Sequence, residues 1–317
     1  MFDTTSNKKL EVIKCNDAIK SLHKERNDLL YSKRYVFGTK IDKLKKQGVI
    51  KLIKNRIEMY IDDKKRDLKT LDKRYKLLDN ATNNRNDTNY FFNERIAVYT
   101  CITGGYDKLI EPLVKPDNID YYAVTDFDIP KDSLWKRMDI DSISEIKDLS
   151  NTLKNRYVKM NPHKIFTDYN YSVYVDGNIK IYTDFTEHIN RISKYGFAHF
   201  KHSRRKSSYE EADACKLLRK VDDDSIDKYV KKLKEENFPD NYGMLECSIL
   251  ARKHSNENCV NIMEQWWEEF KNNVKRDQII LPYILYKNNI KVDDVATLGS
   301  NIDEELSFEV IKHKGKE

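Results

Sequence analysis

A short apolar segment of the chain ends on three residues that suit either a tight turn or a binding site. The segment YSVYV at 171–175 is followed by Asp176, Gly177 and Asn178 before a second apolar run begins. Aspartate, glycine and asparagine favour turns for backbone reasons alone. A carboxylate and a carboxamide two residues apart are also oxygen ligands for a hard divalent metal such as Mg²⁺ or Mn²⁺. The local sequence leaves both explanations open.

Other polar side chains that could bind a charged ligand lie beside apolar runs elsewhere in the sequence. Arg156 and Lys159 are three residues apart in a predicted helix and therefore share one face. Asp277 and Gln278 open an apolar helical run. A site for a nucleotide-sugar diphosphate needs such a set, because fixed cations neutralise the charge that develops on a leaving diphosphate. Three more candidate binding residues lie near the carboxyl ends of predicted strands, namely Thr100, Thr103 and Asp126.

Each of these residues also has an ordinary structural explanation. Arg156 and Lys159 suit a solvated helix face, and Asp126 suits the closing position of a turn. Asp277 is a common residue type at a helix N-cap, which would leave Gln278 in the first turn. Only the convergence of these distant segments at one place would make them a binding site.

Apolar, β-branched runs predict the elements that must position these side chains. Helical stretches at 149–166 and 260–273 lie between the predicted strands, and this alternation is typical of an α/β domain with a mostly parallel central sheet. In open α/β sheets, ligands bind beyond the carboxyl ends of the strands. The five predicted strands span residues 95–102, 120–127, 172–177, 195–203 and 242–253.

The N-terminal region has a different character from the rest of the 317 residues. Residues 1–90 hold 23 Lys/Arg and 13 Asp/Glu, a net charge of +10, whereas residues 91–317 carry a net charge of −4. Apolar residues at steps of three and four predict a basic helical hairpin with a coiled-coil-like seam, followed by a polar linker at 79–89. We expect two domains, a helical arm over 1–90 and an α/β domain over 91–317.

Composition limits the partners and the compartment. No apolar run approaches the ~20 residues that cross a bilayer. The five cysteines are scattered without a CxxC pair, which predicts neither a disulfide framework nor a zinc site. We expect a cytoplasmic protein. Its arm is a solvated helical face, a surface for homo-oligomerisation, or a peripheral contact with anionic lipid at the inner face of the membrane. Interleaved acids and the lack of a known motif argue against nucleic acid as a partner.

Residues 95 to about 293 resemble the TOD/MUCI-type glycosyltransferase-like family of plants and bacteria. This resemblance implies the GT-A fold, a single nucleotide-binding α/β domain, and a distant similarity to family 8 glycosyltransferases. The segments that carry it occur in the family's order and are IAVYTCITGGYD, YYAVTDF, RYVKMNPHKIFTDYNYSVYVDGNIKI, FKHSRRKSSYEEADAC, NYGMLECSILARKH and WWEEFKNNVKRDQIILPYIL.

The resemblance implies roles for the donor-binding and metal-binding candidates. Asp176-Gly177-Asn178 stands where the family has an Asp-x-Asp motif that binds a divalent metal, Mn²⁺ or Mg²⁺, and the donor diphosphate. The amide of Asn178 replaces the second acid, so weak metal dependence or none is an alternative. His202, near the end of the fourth predicted strand, is a third candidate ligand. The implied donor contacts are Thr100 and Asp126 toward the nucleoside, Arg156 and Lys159 toward the diphosphate or sugar, and Thr103 elsewhere on the donor.

The resemblance also implies roles for residues on the acceptor side of the site. Asp277 and Gln278 resemble a catalytic Asp-Gln segment near the sugar and acceptor. Glu246 is either a general base that deprotonates the acceptor hydroxyl or a buried acid paired with a cation such as Arg252. The Trp266-Trp267 pair suits core packing better than sugar stacking.

The implied activity is transfer of a sugar from a nucleotide-sugar, UDP-linked by default, to a glycan or lipid-linked glycan acceptor in cell-surface polysaccharide synthesis. Two alternatives stay open. One is a metal-assisted hydrolase of a lipid amide or glycan, in which Asp and His residues with a metal activate water. The other is a noncatalytic scaffold whose functional part is the N-terminal coil.

Overall fold

The computed structural model describes residues 94–311 and five helical positions of the N-terminal region, residues 61, 62, 65, 68 and 69. By its internal contacts the chain divides into two units, residues 1–88 with 303–309 and residues 89–302 with 310–317. Apart from those five positions, the predicted hairpin, its seam and the linker at 79–89 lie outside the described residues. The predicted domain boundary at residue 90 and the roles of the arm stay predictions.

The described residues form short strands and helices that alternate along the chain. The strands are β1 Ile96–Ile102, β2 Ile119–Thr125, β3 Trp135–Asp139, β4 Tyr171–Val175, β5 Ile179–Ile181, β6 Phe197–Lys201, β7 Leu245–Lys253 and β8 Phe308–Val310. The α-helices are α1 Asn151–Met160, α2 Pro162–Ile165, α3 Thr186–Asn190, α4 Ser208–Leu217, α5 Asp223–Glu235, α6 Glu257–Asn272, α7 Asp277–Lys287 and α8 Val292–Val295. Single 3₁₀ turns span Ile140–Ser142, Ser144–Ile146 and Ile302–Glu304.

Six strands form the central sheet in the order β3-β2-β1-β4-β7-β6. β1 pairs in parallel with β2 and with β4, and β2 pairs in parallel with β3. All seven residues of β1, IAVYTCI, are buried, as expected for a parallel strand covered on both faces. The predicted α/β class with a mostly parallel central sheet is confirmed.

The connection of the strands creates a crevice between β1 and β4. From β1 the chain moves outward through β2 and β3, and it then returns to the other side of β1 to form β4. This reversal of direction is the topological switch point at which open α/β sheets bind ligands. The parallel register, Ile96 beside Tyr171 and Tyr99 beside Tyr174, places the carboxyl ends of β1 and β4 side by side.

β7 runs antiparallel to both of its neighbours, and this reversal adds a third segment to the same edge of the sheet. Val175 lies beside Ile249, and the amide N of Asp176 donates to the carbonyl O of Ser248 at 2.8 Å. The start of β7, with Glu246, therefore lies beside the turn that follows β4. β6 ends at this edge too, because Phe200 is the register partner of Glu246.

The helix α7 packs inside the domain rather than on its surface. Every residue from Asp277 to Leu285 is buried, so the polar residues at its start are held away from bulk water. Trp266 on α6 is fully buried and its indole N–H donates to the carbonyl O of Asp277 at 3.1 Å. Trp267 is buried as well, which confirms the prediction that this pair packs in the core.

The part of the chain that the structure describes contains no helix with both the length and the apolar character needed to cross a bilayer.

Candidate functional site

A cavity of about 510 Å³ lies at the carboxyl ends of β1 and β4, where the switch point predicts a ligand. Five of the residues that line it belong to the predicted site or to its turn. They are Thr103, Arg156, Asp176, Gly177 and Asn178. Three further cations, Lys220, Lys275 and Arg276, reach the cavity from the loops after α4 and α6.

The turn after β4 answers the question raised by its sequence. The amide N of Ile179 donates to the carbonyl O of Asp176 at 3.0 Å, so the segment is a tight turn. A Cβ at Gly177 would lie 2.7 Å from Cγ1 of Ile102, which leaves no room for a side chain there. The turn prediction is confirmed. The turn also presents Asp176 and Asn178 to the cavity, so the structural explanation does not remove the functional one.

Behind the turn, four charged side chains meet from three distant segments. Lys159 Nζ lies 2.7 Å from Oδ2 of Asp277 and 3.6 Å from Oδ1 of Asp176. Arg156 Nε lies 3.2 Å from the same Oδ2 of Asp277. Arg156 and Lys159 are thus not solvated helix residues, and the side chain of Lys159 is only 2% exposed. α1 directs both cations inward because they stand three residues apart.

Asp277 is the anion at the centre of this cluster. Burial by itself would raise the pKa of its carboxyl, but the positive charges of Arg156 and Lys159 outweigh burial and hold the pKa well below its usual value. Arg276 stands at the N-cap position of α7 and Asp277 is the first helical residue, so the N-cap explanation for Asp277 is wrong. The Asp277 carboxylate instead forms ion pairs with Arg156 and Lys159, the two cations of α1.

Gln278 and Glu246 form the next part of the site. Gln278 Nε2 donates to Oε1 of Glu246 at 3.0 Å. Burial raises the pKa of the Glu246 carboxyl, and the negative charge of Asp176 raises it further. A carboxyl with a raised pKa near Asp176, which lines the cavity, suits a proton acceptor that works near neutral pH. The general-base role of Glu246 stays a prediction.

The alternative prediction, that Glu246 pairs with Arg252, is wrong. Arg252 is fully buried further along β7, and its Nη1 donates to Oη of Tyr99 at 2.6 Å. Tyr99 in turn donates to the carbonyl O of Lys159 at 3.1 Å. Glu246 and Arg252 are six positions apart along the strand, about 20 Å at ~3.3 Å per residue, so the two side chains do not meet.

Glu211 is a member of the site that the sequence analysis missed. It lies on α4, is 1% exposed, and accepts from Nε and Nη2 of Arg276 at 3.0 and 2.8 Å. Nε of Arg205 lies 3.1 Å from its other oxygen. Arg276 also donates to Oε1 of Gln278. Glu211 therefore fixes Arg276 at the cavity and, through it, the orientation of Gln278.

Three of the residues predicted to contact the donor lie around the loop after β1. Oδ2 of Asp126 accepts from the amide N of Gly104 at 2.8 Å and so closes that loop against the end of β2. Thr103 lines the cavity, and its Oγ1 donates to the carbonyl O of Asn151 at 3.4 Å. Thr100 is buried inside β1. The structure brings Thr103 and Asp126 to one edge of the sheet and holds Thr100 inside β1. The donor contacts of all three stay predictions.

The predicted metal ligands have other partners. Asp176 is 3.6 Å from the Lys159 ammonium, and Nδ2 of Asn178 donates to the carbonyl O of Ile311 at 2.9 Å. Nδ1 of His202 accepts two backbone N–H bonds in its own loop, and its Nε2 lies 3.8 Å from Oε2 of Glu246.

One ion-paired carboxylate and one amide do not by themselves fit Mg²⁺ or Mn²⁺, which take several oxygen ligands. Within residues 94–311 and the five described helical positions, no three His, Cys, Asp or Glu side chains form a metal-binding group. A metal at this site stays a prediction.

Comparison with known proteins places the chain among glycosyltransferase-like sequences. The family described as "TOD1/MUCI70, glycosyltransferase-like domain" matches residues 79–310. A comparison with curated proteins gave no match.

Three solved structures are similar to the chain at low identity. The apo structure of the bifunctional glycosyltransferase WbbM is 14% identical with a TM-score of 0.42, covering 63% of this chain and 39% of that one. Apo GlyE of Streptococcus pneumoniae TIGR4 is 11% identical with a TM-score of 0.34, covering 63% and 45%. The galactosyltransferase LgtC, in complex with donor and acceptor sugar analogs, is 7% identical with a TM-score of 0.38, covering 69% and 88%. This chain spans less than half the length of the first two.

Proposed function

The chain belongs to the TOD1/MUCI70 glycosyltransferase-like family, and on that premise we propose that it transfers a sugar from a nucleotide-sugar donor to a hydroxyl of a glycan or lipid-linked glycan. The donor is a UDP-sugar by default. The acceptor class follows from the family resemblance alone.

One observation carries the proposal. Segments that are distant in sequence meet in a single cavity at the switch point, and their side chains suit a diphosphate. Arg156 on α1, Lys220 after α4, and Lys275 with Arg276 before α7 supply positive charge. Asp176 supplies an acceptor for hydroxyl groups at the carboxyl end of β4. An isolated turn or a solvated helix face would not explain this convergence.

The proposed chemistry uses these side chains in two roles. When the bond between the sugar and the diphosphate breaks, negative charge grows on the leaving phosphate, and cations already in place stabilise it without reorganisation. On the other side, Glu246 takes the proton of the attacking acceptor hydroxyl. Gln278, held by Arg276 and bonded to Glu246, orients that carboxylate.

The test is a donor screen followed by a comparison of two variants. Stabilisation of the full-length chain against heat is measured with UDP, GDP, dTDP and ADP and with the corresponding sugar nucleotides. Release of the nucleoside diphosphate is then measured with the donor that stabilises the chain, in the presence of a panel of glycans. We expect one nucleotide to raise the melting temperature and Asp176→Ala to abolish transfer.

The matched control is Asp168→Ala, which removes an exposed aspartate from the loop that precedes β4, at the opposite end of that strand from Asp176. It should retain full transfer. Transfer that survives Asp176→Ala would contradict the assigned site. Hydrolysis of an amide or glycan without any nucleotide requirement would favour the hydrolase instead.

A further inference from the structure

We propose that the cavity binds the donor diphosphate through its own cations, with Lys220 and Lys275 in the place that a divalent metal takes in a metal-dependent enzyme. This inference rests on the proposed function and deepens it, because it assigns the diphosphate-binding groups of the same site. It concerns two lysines that the sequence analysis did not single out.

The charge of the cavity matches a diphosphate without a metal. Four cationic side chains line it, Arg156, Lys220, Lys275 and Arg276, against the two carboxylates of Asp107 and Asp176. The formal excess is two positive charges, and the diphosphate of a nucleotide-sugar carries one negative charge on each phosphate. A divalent ion added to this set would leave the occupied cavity with an uncompensated positive charge, which is costly in a partly buried site.

The cations behind the cavity do not add to this excess, because they are already paired. Lys159 lies against Asp277 and Asp176, and Arg205 lies against Glu211. The two carboxylates behind the cavity, Asp277 and Glu211, balance these two cations in turn. The net charge that a ligand meets therefore comes from the residues of the cavity itself.

The turn that would hold the metal offers it one ion-paired carboxylate and one neutral amide oxygen. Asp176 already has a cation at 3.6 Å, the Lys159 ammonium. Asn178 is uncharged, and because its amide N–H donates to the carbonyl O of Ile311, it would offer a metal its neutral Oδ1. A metal at this turn would approach Lys159 and Arg156, and like charges at such short range repel strongly in a partly buried site.

The two lysines keep their charge available to a ligand. Lys275 Nζ donates to the carbonyl oxygens of Phe270 and Lys271 at 2.9 and 2.6 Å, which are neutral groups at the end of α6. Lys220 follows α4 and lines the cavity, where burial and the neighbouring charge of Arg276 lower the pKa of its ammonium while the carboxylate of Glu211 attracts it. A diphosphate would supply the negative charge that this site lacks. The loops after α4 and α6 thus bring Lys220, Lys275 and Arg276 to the same cavity as the strand ends of β1 and β4.

The experiment measures nucleotide binding, independently of transfer. The full-length chain is treated with EDTA and desalted, and the dissociation constants of UDP, GDP, dTDP and ADP are measured by calorimetry in EDTA and again in Mn²⁺. We expect the best of these nucleotides to bind with a dissociation constant that differs by no more than about threefold between the two conditions. Asp176→Asn should show the same small difference.

The lysine variants test the assignment of the cations. Lys220→Ala and Lys275→Ala should each weaken nucleotide binding about tenfold, since each removes one charge-assisted contact to phosphate. Lys228→Ala, an exposed lysine on α5, is the matched control and should bind like the unmodified chain. Melting temperatures close to that of the unmodified chain would show that the variants are folded.

The possible results of these experiments distinguish a failure of this inference from a failure of the proposed function. Binding that tightens more than about tenfold with Mn²⁺, and loses that gain in Asp176→Asn, would overturn the inference and leave the proposed function in place. Metal-free binding that neither lysine variant weakens would overturn the assignment of Lys220 and Lys275. An absence of nucleotide binding in both conditions would contradict the proposed function itself.

Discussion

Lys159 and Asp277 are 118 residues apart in the chain, yet Nζ of Lys159 lies 2.7 Å from Oδ2 of Asp277 and both side chains are 2% exposed. This pair joins α1 to α7 beneath the turn after β4. Arg156 approaches the same carboxylate oxygen at 3.2 Å. The pair therefore links the helix that supplies the cations to the helix that supplies Gln278, and a change at either residue alters both.

We expect Asp277→Asn to destabilise the protein as well as lower its turnover. The substitution leaves two cations near a neutral amide in a dry environment, and removing one partner of a buried ion pair costs about 3–5 kcal/mol. Chemical denaturation measures the free energy of unfolding. The matched control is Asp176→Asn, because the Asp176 side chain is 33% exposed and lies 3.6 Å from Lys159, so solvent screens this contact more than the buried pair and its loss should cost less. An equal loss of stability in the two variants would contradict the structural role of Asp277.

The glycine in the turn after β4 gives a second prediction. Gly177→Ala places a Cβ 2.7 and 2.9 Å from Cγ1 and Cδ1 of Ile102, so the turn or the Ile102 side chain must shift. We expect a loss of about 1–3 kcal/mol of stability, as for other overpacked sites, and weaker donor binding. Denaturation and nucleotide calorimetry measure the two effects.

A second substitution distinguishes the clash from a backbone effect. Gly177→Ala combined with Ile102→Ala should recover donor binding, because the shorter side chain makes room for the new methyl group. Gly105→Ala is the matched control, since a Cβ there meets nothing within 4 Å and its cost comes from the positive φ of 65° alone. A double variant that binds donor no better than Gly177→Ala would contradict the steric explanation.

Buried histidines predict how stability depends on pH. Burial lowers the pKa of His199 to about 3 and that of His254 to about 4, whereas an unfolded histidine titrates near 6.5. Below pH 6.5 the unfolded chain binds protons that the folded chain does not, so stability falls as the pH drops from about 6.5 toward 4. For His199 the loss should be on the order of 2 kcal/mol at pH 5.

Denaturation at pH 7.5 and pH 5 measures this loss. His254→Gln removes one titrating group and keeps an amide that can bond Oγ of Ser172, the present partner of His254 Nε2 at 2.7 Å. The variant should lose less stability than the unmodified chain over the same interval. Asp277 also has a lowered pKa, but it affects the pH dependence of stability only below about pH 4. The stabilisation from its carboxylate is lost as the pH falls through and below the pKa that this aspartate has in the unfolded chain. Equal pH dependence in the variant and the unmodified chain would contradict the prediction.

The strands of the site could be predicted from the sequence because each is a continuous apolar run. YYAVT in β2 and SVYV in β4 are buried on both faces, and such runs have no alternative to the sheet interior. β3, with the sequence WKRMD, was missed because an edge strand covered on one side lacks that signature. The convergence of Asp176, Arg156 and Asp277 followed from the order of the elements and from the family resemblance.

The remaining members of the site depend on packing that a pattern of residue types does not encode. Glu210 and Glu211 are adjacent acids in one helix, yet Glu210 is exposed and Glu211 is fully buried, because one step around the helix turns the second toward Arg276. Lys220 and Lys275 belong to loops whose positions are set by the packing of α4 and α6. The pairing of Glu246 with Arg252 was wrong because an extended strand keeps them apart.

Glu246 gives the last prediction, which concerns turnover rather than binding. The Glu246 side chain is 23% exposed and accepts from Gln278, so it is open to solvent and has a fixed orientation. Its raised pKa means that transfer should decline on the acid side at a pH above the usual range of a glutamate, because only the carboxylate accepts a proton. We expect Glu246→Gln to lower kcat about 100-fold or more and to leave the dissociation constant of the nucleotide within about threefold.

Two further measurements decide whether Glu246 acts as the base or only supports the fold. Glu246→Asp keeps a carboxylate and should recover part of the lost kcat, whereas a purely structural role would make the shorter side chain as harmful as glutamine. The pH profile of kcat/KM should lose its acid limb in Glu246→Gln, since the group that titrates there has been removed. A variant that retains the acid limb, or one whose loss lies in nucleotide affinity with kcat unchanged, would move the proton acceptor away from Glu246.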